Sequence, residues 1–115
     1  MNELIVSIFK NFTVNGKKIP VKYLYYNGHG EPYVTFTPTD NQNVFSADDD
    51  IEAYITYYDF DIYSKENYYA IETAVKALLK SNDFTWNPER DSAEMYETDT
   101  GYFHKTICFS HERSE

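Results

Sequence analysis

Residues 51 to 80, IEAYITYYDFDIYSKENYYAIETAVKALLK, change hydrophobic period partway along, and that change restricts the fold more than any other feature of the chain. Ile51, Ala53, Ile55 and Tyr57 alternate with Glu52, Tyr54, Thr56 and Tyr58. Such β-branched and aromatic residues suit a pleated surface, so the first part reads as a long strand. Ile71, Ala74, Val75 and Leu78 then recur at helical spacing with Glu72, Lys76 and Lys80 opposite, which predicts an amphipathic helix laid on the sheet. Ser64 or Asn67 is placed to cap its first amides, and Glu66 sits near its positive end. A strand feeding directly into a helix is the spine.

Before the spine, Leu4, Ile5, Ile8, Phe9 and Phe12 fall at helical spacing and predict a short N-terminal helix ended by Asn15-Gly16. Lys18 to Tyr26 reads as a strand, with Ile19, Val21, Tyr23 and Tyr25 on one face and Pro20 confining it to an edge or to the strand's first residues. Asn27-Gly28-His29-Gly30 predicts a turn, and Pro32 to Pro38 the returning arm of a hairpin. Thr39 to Asp50 reads as a polar loop. Val44 and Phe45 in its middle either tuck back onto their own sheet or make a contact elsewhere.

After the spine, Phe84-Thr85-Trp86 starts a strand broken at Asn87 to Ser92, and Glu94 to Thr98 is a second. Asp99-Thr100-Gly101 is a tight turn with glycine at the left-handed position. Tyr102 to Ser110 is a last strand carrying Phe103, Ile107 and Phe109 on one face, with the HERSE tail frayed. The expected order is α-β-β-β-α-β-β-β. That is one α+β domain over residues 1–115, with a mostly antiparallel sheet and both helices, one of them long, on one face.

Eight Phe, twelve Tyr and one Trp supply a large core without a staple, and the lone Cys108 excludes an intramolecular disulfide. No apolar run approaches the ~20 residues of a membrane span or the core of a signal peptide, so synthesis in a cytosol and no membrane partner are expected. The net charge of -9 argues against a protein that wraps nucleic acid, because such binding rests on Lys and Arg neutralising phosphates. The charge is concentrated. Asp40, Asp48, Asp49, Asp50, Glu52, Asp59 and Asp61 fall between Thr39 and Asp61 with no Lys or Arg among them, whereas Lys17, Lys18 and Lys22 and Lys65, Lys76 and Lys80 lie on either side. A solvated acidic face is the plain reading of such a run.

Catalytic chemistry finds little material. His104, Cys108 and His111 give H-x3-C-x2-H, but on a strand His104 and Cys108 lie about 13 Å apart at roughly 3.3 Å per residue and His111 points the other way. Asp59 and Asp61 share a strand face and would suit Mg²⁺, yet no Lys, Arg or pocket accompanies them in this stretch, and Asp48-Asp49-Asp50 lacks the glycine and spacing of a calcium loop. There is no phosphate-binding glycine loop, nucleophile elbow or Cys/His dyad. A protein that is not an enzyme, with no cofactor, is expected.

The second half of the chain resembles a known family. YDFDIYSKENYYAIETAVKALLK, then an F-x-W segment, then E-x-D-T-G-Y-F-H-K-x-x-x-F, is similar to the tail terminator or tail-completion proteins of long-tailed bacteriophages and prophages, over about residues 51 to 110. Asp61 to Lys65 and Asp99 to Lys105 match its strand-to-helix junction and the entry to its final strand. The resemblance implies a virion protein made in the bacterial cytoplasm that assembles as a homo-hexameric ring at the head-tail junction. Such a ring caps the tail-tube protein, stops tube polymerisation and meets a head-completion or connector protein.

DNA would pass through without specific binding, because acidic walls repel it. On that reading Asp48, Asp49, Asp50, Glu52, Asp59 and Asp61 line the lumen, Val44 and Phe45 contact the tube or the neighbouring ring, and the basic patches pair subunits head to tail. Another neck protein is a sister reading. The rival class is an acidic inhibitor or DNA mimic that occupies a basic nucleic-acid-binding partner, and a third is a Mg²⁺-dependent nuclease at Asp59 and Asp61.

Overall fold

A computed structural model describes residues 2–26, 31–45 and 51–114. Its elements are helix α1 (Asn2–Ile8), strands β1 (Thr13–Val14), β2 (Lys17–Lys18), β3 (Val21–Tyr23), β4 (Tyr33–Phe45) and β5 (Ile51–Ser64), helix α2 (Tyr69–Ser81), and strands β6 (Thr85–Trp86), β7 (Met95–Glu97) and β8 (Tyr102–Ser114). A single 3-10 turn, Pro88–Arg90, lies between β6 and β7. The main sheet runs β3-β4-β5-β8-β6, with β7 also on β8, and only β3 against β4 is parallel. The class is therefore α+β with a mostly antiparallel sheet.

The order differs from α-β-β-β-α-β-β-β because two more strands precede α2. Asn15-Gly16, expected to end the first helix, instead turns a small hairpin of β1 on β2, since both residues take positive φ (52° and 80°) as such tight turns require. Pro20 then separates β2 from β3, and Leu24 at φ 67° ends β3 after three residues. β3 does not form an antiparallel hairpin with the following strand. Val34 donates to the Pro20 carbonyl and Leu24 to the Phe36 carbonyl, a parallel register, so the chain loops over between them. The Asn27-Gly28-His29-Gly30 turn lies outside the described residues.

The polar segment from Thr39 to Phe45 is strand rather than loop. It continues β4 beside β5, with a register shift between Pro38 and Asp40 where the proline lacks a donor. β8 likewise runs on through the expected frayed tail to Ser114, because β5 extends far enough to pair with it.

The core lies between one sheet face and the two helices. Val34 and Phe36 of β4, Tyr58, Phe60 and Ile62 of β5, and Ile107 and Phe109 of β8 meet Ile5 of α1, Phe9 just after it, and Ile71, Val75 and Leu79 of α2. Phe60 stands at its centre, edge-on to Phe109 with centroids 6.2 Å apart and stacked on Phe36 at 5.9 Å. α2 has thirteen residues, an ordinary length and not a long helix. Neither Ser64 nor Asn67 is the N-cap, a position taken by Tyr68 without a side-chain bond: Asn67 Oδ1 accepts from the Tyr69 amide at the helix's first residue, while Ser64 Oγ accepts from the Glu66 amide in the turn before it.

Two details of the helix depart from expectation. Leu79 is fully buried where Leu78 is half-buried, and Glu72 lies inside at 7% exposure. Glu72 is tolerated there because Lys76 (2.7 Å) and Lys105 (3.5 Å) both reach its carboxylate.

Candidate functional site: the distal arm and the helix-free face

Seven residues of β5, Ile51 to Tyr57, run past the last core residue, Tyr58, and carry β4 and β8 with them. The molecule measures 52 × 27 × 22 Å with a radius of gyration of 15.3 Å, against about 13 Å for a compact domain near this size. The long axis is the strand itself.

β5 also changes which face carries its apolar residues. From Tyr58 onward the even positions Tyr58, Phe60 and Ile62 point at the helices and are buried. Before it the apolar positions are odd, so Ala53, Ile55 and Tyr57 point to the opposite, helix-free side, and β5 keeps an unbroken register with β8 throughout. The alternation Ile51, Ala53, Ile55, Tyr57 thus describes only the arm. The parity switch between Tyr57 and Tyr58 is present in the sequence itself, where two apolar residues stand side by side in the alternation. Above the arm's apolar side Arg90 reaches across, its guanidinium 3.8 Å from the Tyr57 ring and its Nη2 3.9 Å from Asp40.

Nearer the core, the helix-free face holds Asp59, Asp61 and Tyr63 of β5 beside Cys108, Thr106 and His104 of β8. Asp61 Oδ1 accepts from the Thr106 hydroxyl at 2.5 Å and lies 2.9 Å from His104 Nε2, while His104 Nδ1 lies 3.5 Å from Glu97 of β7. His104 stacks on Tyr63 (4.2 Å), Tyr63 on Tyr33 (4.6 Å), and Tyr33 meets Tyr26 (5.0 Å), an aromatic ladder across the sheet. Burial, then the charge of Asp61, pushes the Tyr63 hydroxyl's pKa far above its ordinary value. Burial also raises the Asp59 carboxyl, helped by repulsion from Asp61 and partly offset by Arg90.

Asp59 and Asp61 do share a face, as expected, but neither stands bare. Asp61 is held by His104 and Thr106, and Asp59 is half-buried. The side chains of Val44, Phe45 and Glu52, and the residues Asp48, Asp49 and Asp50, lie outside what the structure describes. Among the basic patches, Lys76 and Lys80 lie over the Trp86 ring and Lys65 over Tyr102, whereas Lys17, Lys18 and Lys22 are exposed.

Chemistry beyond hydrogen bonding has little to work with here. No cluster of three His, Cys, Asp or Glu suited to a metal occurs among the described residues. His104 and Cys108 share one face and His111 takes the other, as strand geometry requires. An open groove of about 1170 Å³ is lined by Val6, Phe9, Lys18, Val21 and Lys22 among others, and a smaller one of about 250 Å³ lies beside Lys65 to Asn67. Neither includes Asp59, Asp61 or His104. The sequence also left unnoticed the part of Asp91, whose Oδ2 accepts from Trp86 Nε1 and whose Oδ1 accepts from the Cys108 amide, both at 2.9 Å. No local pattern announces either bond, because both partners come from other elements.

No described helix is long and apolar enough to cross a membrane. No protein-family model matches the chain, and no curated protein matches it.

Proposed function

We propose that the chain is a structural assembly subunit of the tail-terminator kind, a ring former that caps a phage tail tube and joins it to the head-completion complex. One observation carries the reading. The arm turns Ala53, Ile55 and Tyr57 away from α1 and α2; Ala53 is buried within the chain, but Ile55 and Tyr57 stay only half-buried, with Arg90 of the 3-10 turn reaching over Tyr57. A strand with apolar residues on both faces at different heights wants cover on both. A neighbouring subunit supplies what the chain lacks, and the family resemblance over residues 51 to 110 says which kind of assembly to look for. The function is non-enzymatic and virion-bound, at the head-tail junction.

The engagement of Asp61 by His104 and Thr106 and the half-burial of Asp59 favour this reading over an acidic DNA mimic, whose carboxylates need to be free to imitate phosphates. The test is native mass spectrometry and electron microscopy of the protein alone and with tail-tube protein. Six-subunit rings, free or seated on tube ends, are the expected result. A monomer that ignores tubes and forms one-to-one complexes with a basic nucleic-acid-binding protein overturns it.

A further inference from the structure

The two outer edges of the distal arm stand at one level. Pairing with β5 sets Asn41 and His111 opposite Thr56, Gln42 and Glu112 opposite Ile55, and Asn43 and Arg113 opposite Tyr54. Both flanking strands are antiparallel to β5, so they run parallel to each other. Among the described residues neither outer edge has a strand partner at these positions. β3 reaches β4 only at Val34 to Phe36, and β6 reaches β8 only at Phe109 and Ser110.

Closer to the core the edge of β4 is blunted. Pro38 lacks a donor, the register shifts between Pro38 and Asp40, and Asp40 adds a charge, all devices that discourage strand addition. Past Asp40 they stop until a second register shift between Val44 and Phe45. From Asn41 to Val44 the strand keeps one register and turns backbone donors and acceptors outward at alternate residues, with Asn41 and Gln42 steadied by the hydroxyls of Thr56 (2.8 Å) and Tyr57 (3.2 Å). The end of β8 from His111 to Ser114 offers a row of nearly equal length on the other side.

We propose that the β4 edge from Asn41 to Val44 of one copy takes the β8 end from His111 to Ser114 of a second copy as an added parallel strand, continuing the sheet from subunit to subunit. A second copy is the fitting occupant on three grounds. The segments match in length, they match in level, and a rotation about an axis along the strands keeps strand direction, so a neighbour needs no rise to present one to the other. Charge raises no objection, since Glu112 and Arg113 meet a row of neutral amides. The contact is heterologous and repeats, so it closes into a ring or runs on as a fibre. It deepens the ring reading, on which its biological setting rests, but the joint is read out separately.

The test is the double variant Gln42→Cys/Glu112→Cys, whose two positions share the Ile55 level, oxidised to a disulfide: within one chain the two lie about 10 Å apart across β5, beyond the ~7 Å a disulfide spans, so only a joint between copies can close it. Native Cys108 does not interfere, being fully buried with its thiol pushed up to about 11. The expected result is a non-reducing denaturing-gel ladder of dimer, trimer and higher species from the double variant, with each single variant remaining monomeric. Dimers from Gln42→Cys alone would show β4 meeting β4 and overturn the proposal. So would the absence of a ladder across the concentration range, provided far-UV circular dichroism matches the wild type. Native mass spectrometry of the same samples separates the two ideas. Closed rings without a ladder overturn the joint and leave the ring reading standing, whereas a ladder of open chains alone keeps the joint and removes the ring.

Discussion

Single residues decide how the segment after α2 is fastened to the sheet. Asp91 satisfies the indole of Trp86 and the amide of Cys108 at once, and Asp91→Ala leaves two part-buried donors without partners. A loss of about 2–3 kcal/mol is expected from urea denaturation. Titration gives two opposite signs. Asp59 binds its proton more tightly folded than unfolded, so stability falls as pH rises through the interval just above about 3.9. Asp59→Asn should therefore raise the melting temperature at pH 7 and lose that advantage below pH ~3.5. His111 runs the other way: burial beside Phe84 holds its pKa down, and its Nδ1 has no hydrogen-bond partner. Stability is lost as pH falls below about 6.5, and His111→Phe should flatten that acid slope in melts compared between pH 7 and 5.

At the scale of elements, α2 shows how a helical stripe is placed by what it meets. Val75 and Leu79 enter the core fully, and Leu78 packs at its border. Leu79→Ala should cost about 2–5 kcal/mol, with Leu78→Ala costing clearly less, both read from denaturant midpoints. The apolar period alone put Leu78 in the stripe. It did not separate Leu78 from Leu79, because adjacent positions differ by only about 100° around a helix and the sheet's orientation chooses between them. Glu72 lies on the polar side by period for the same reason, and Lys105 of β8, which no period shows, holds it inside.

For the whole molecule, the arm is the feature that sets behaviour. A chain whose long axis is one 14-residue strand exposes edges that a compact domain hides, and self-association is the expected consequence. Charge reversal at Asp48, Asp49 and Asp50 tests the lumen assignment. Particles that assemble yet deliver DNA poorly are expected, and unaffected assembly and delivery would remove those residues from the channel wall.

Much of this architecture was legible from residue order. The change of period after Ser64, the left-handed turn at Gly101, the breaks at Pro20 and Pro88, and the alternation of Phe103, Ile107 and Phe109 are set by neighbours along the chain, where sterics and periodicity act locally. Even the parity switch at Tyr57 and Tyr58 is local information. Tertiary structure alone decided that β3 lies parallel to β4, that Thr39 to Phe45 is strand, that Asp61 belongs to His104, and that two open edges stand level across β5. Each of these depends on the register between segments distant in sequence. Register is chosen by the summed burial and hydrogen bonding of whole strands, a quantity no short window of residues contains.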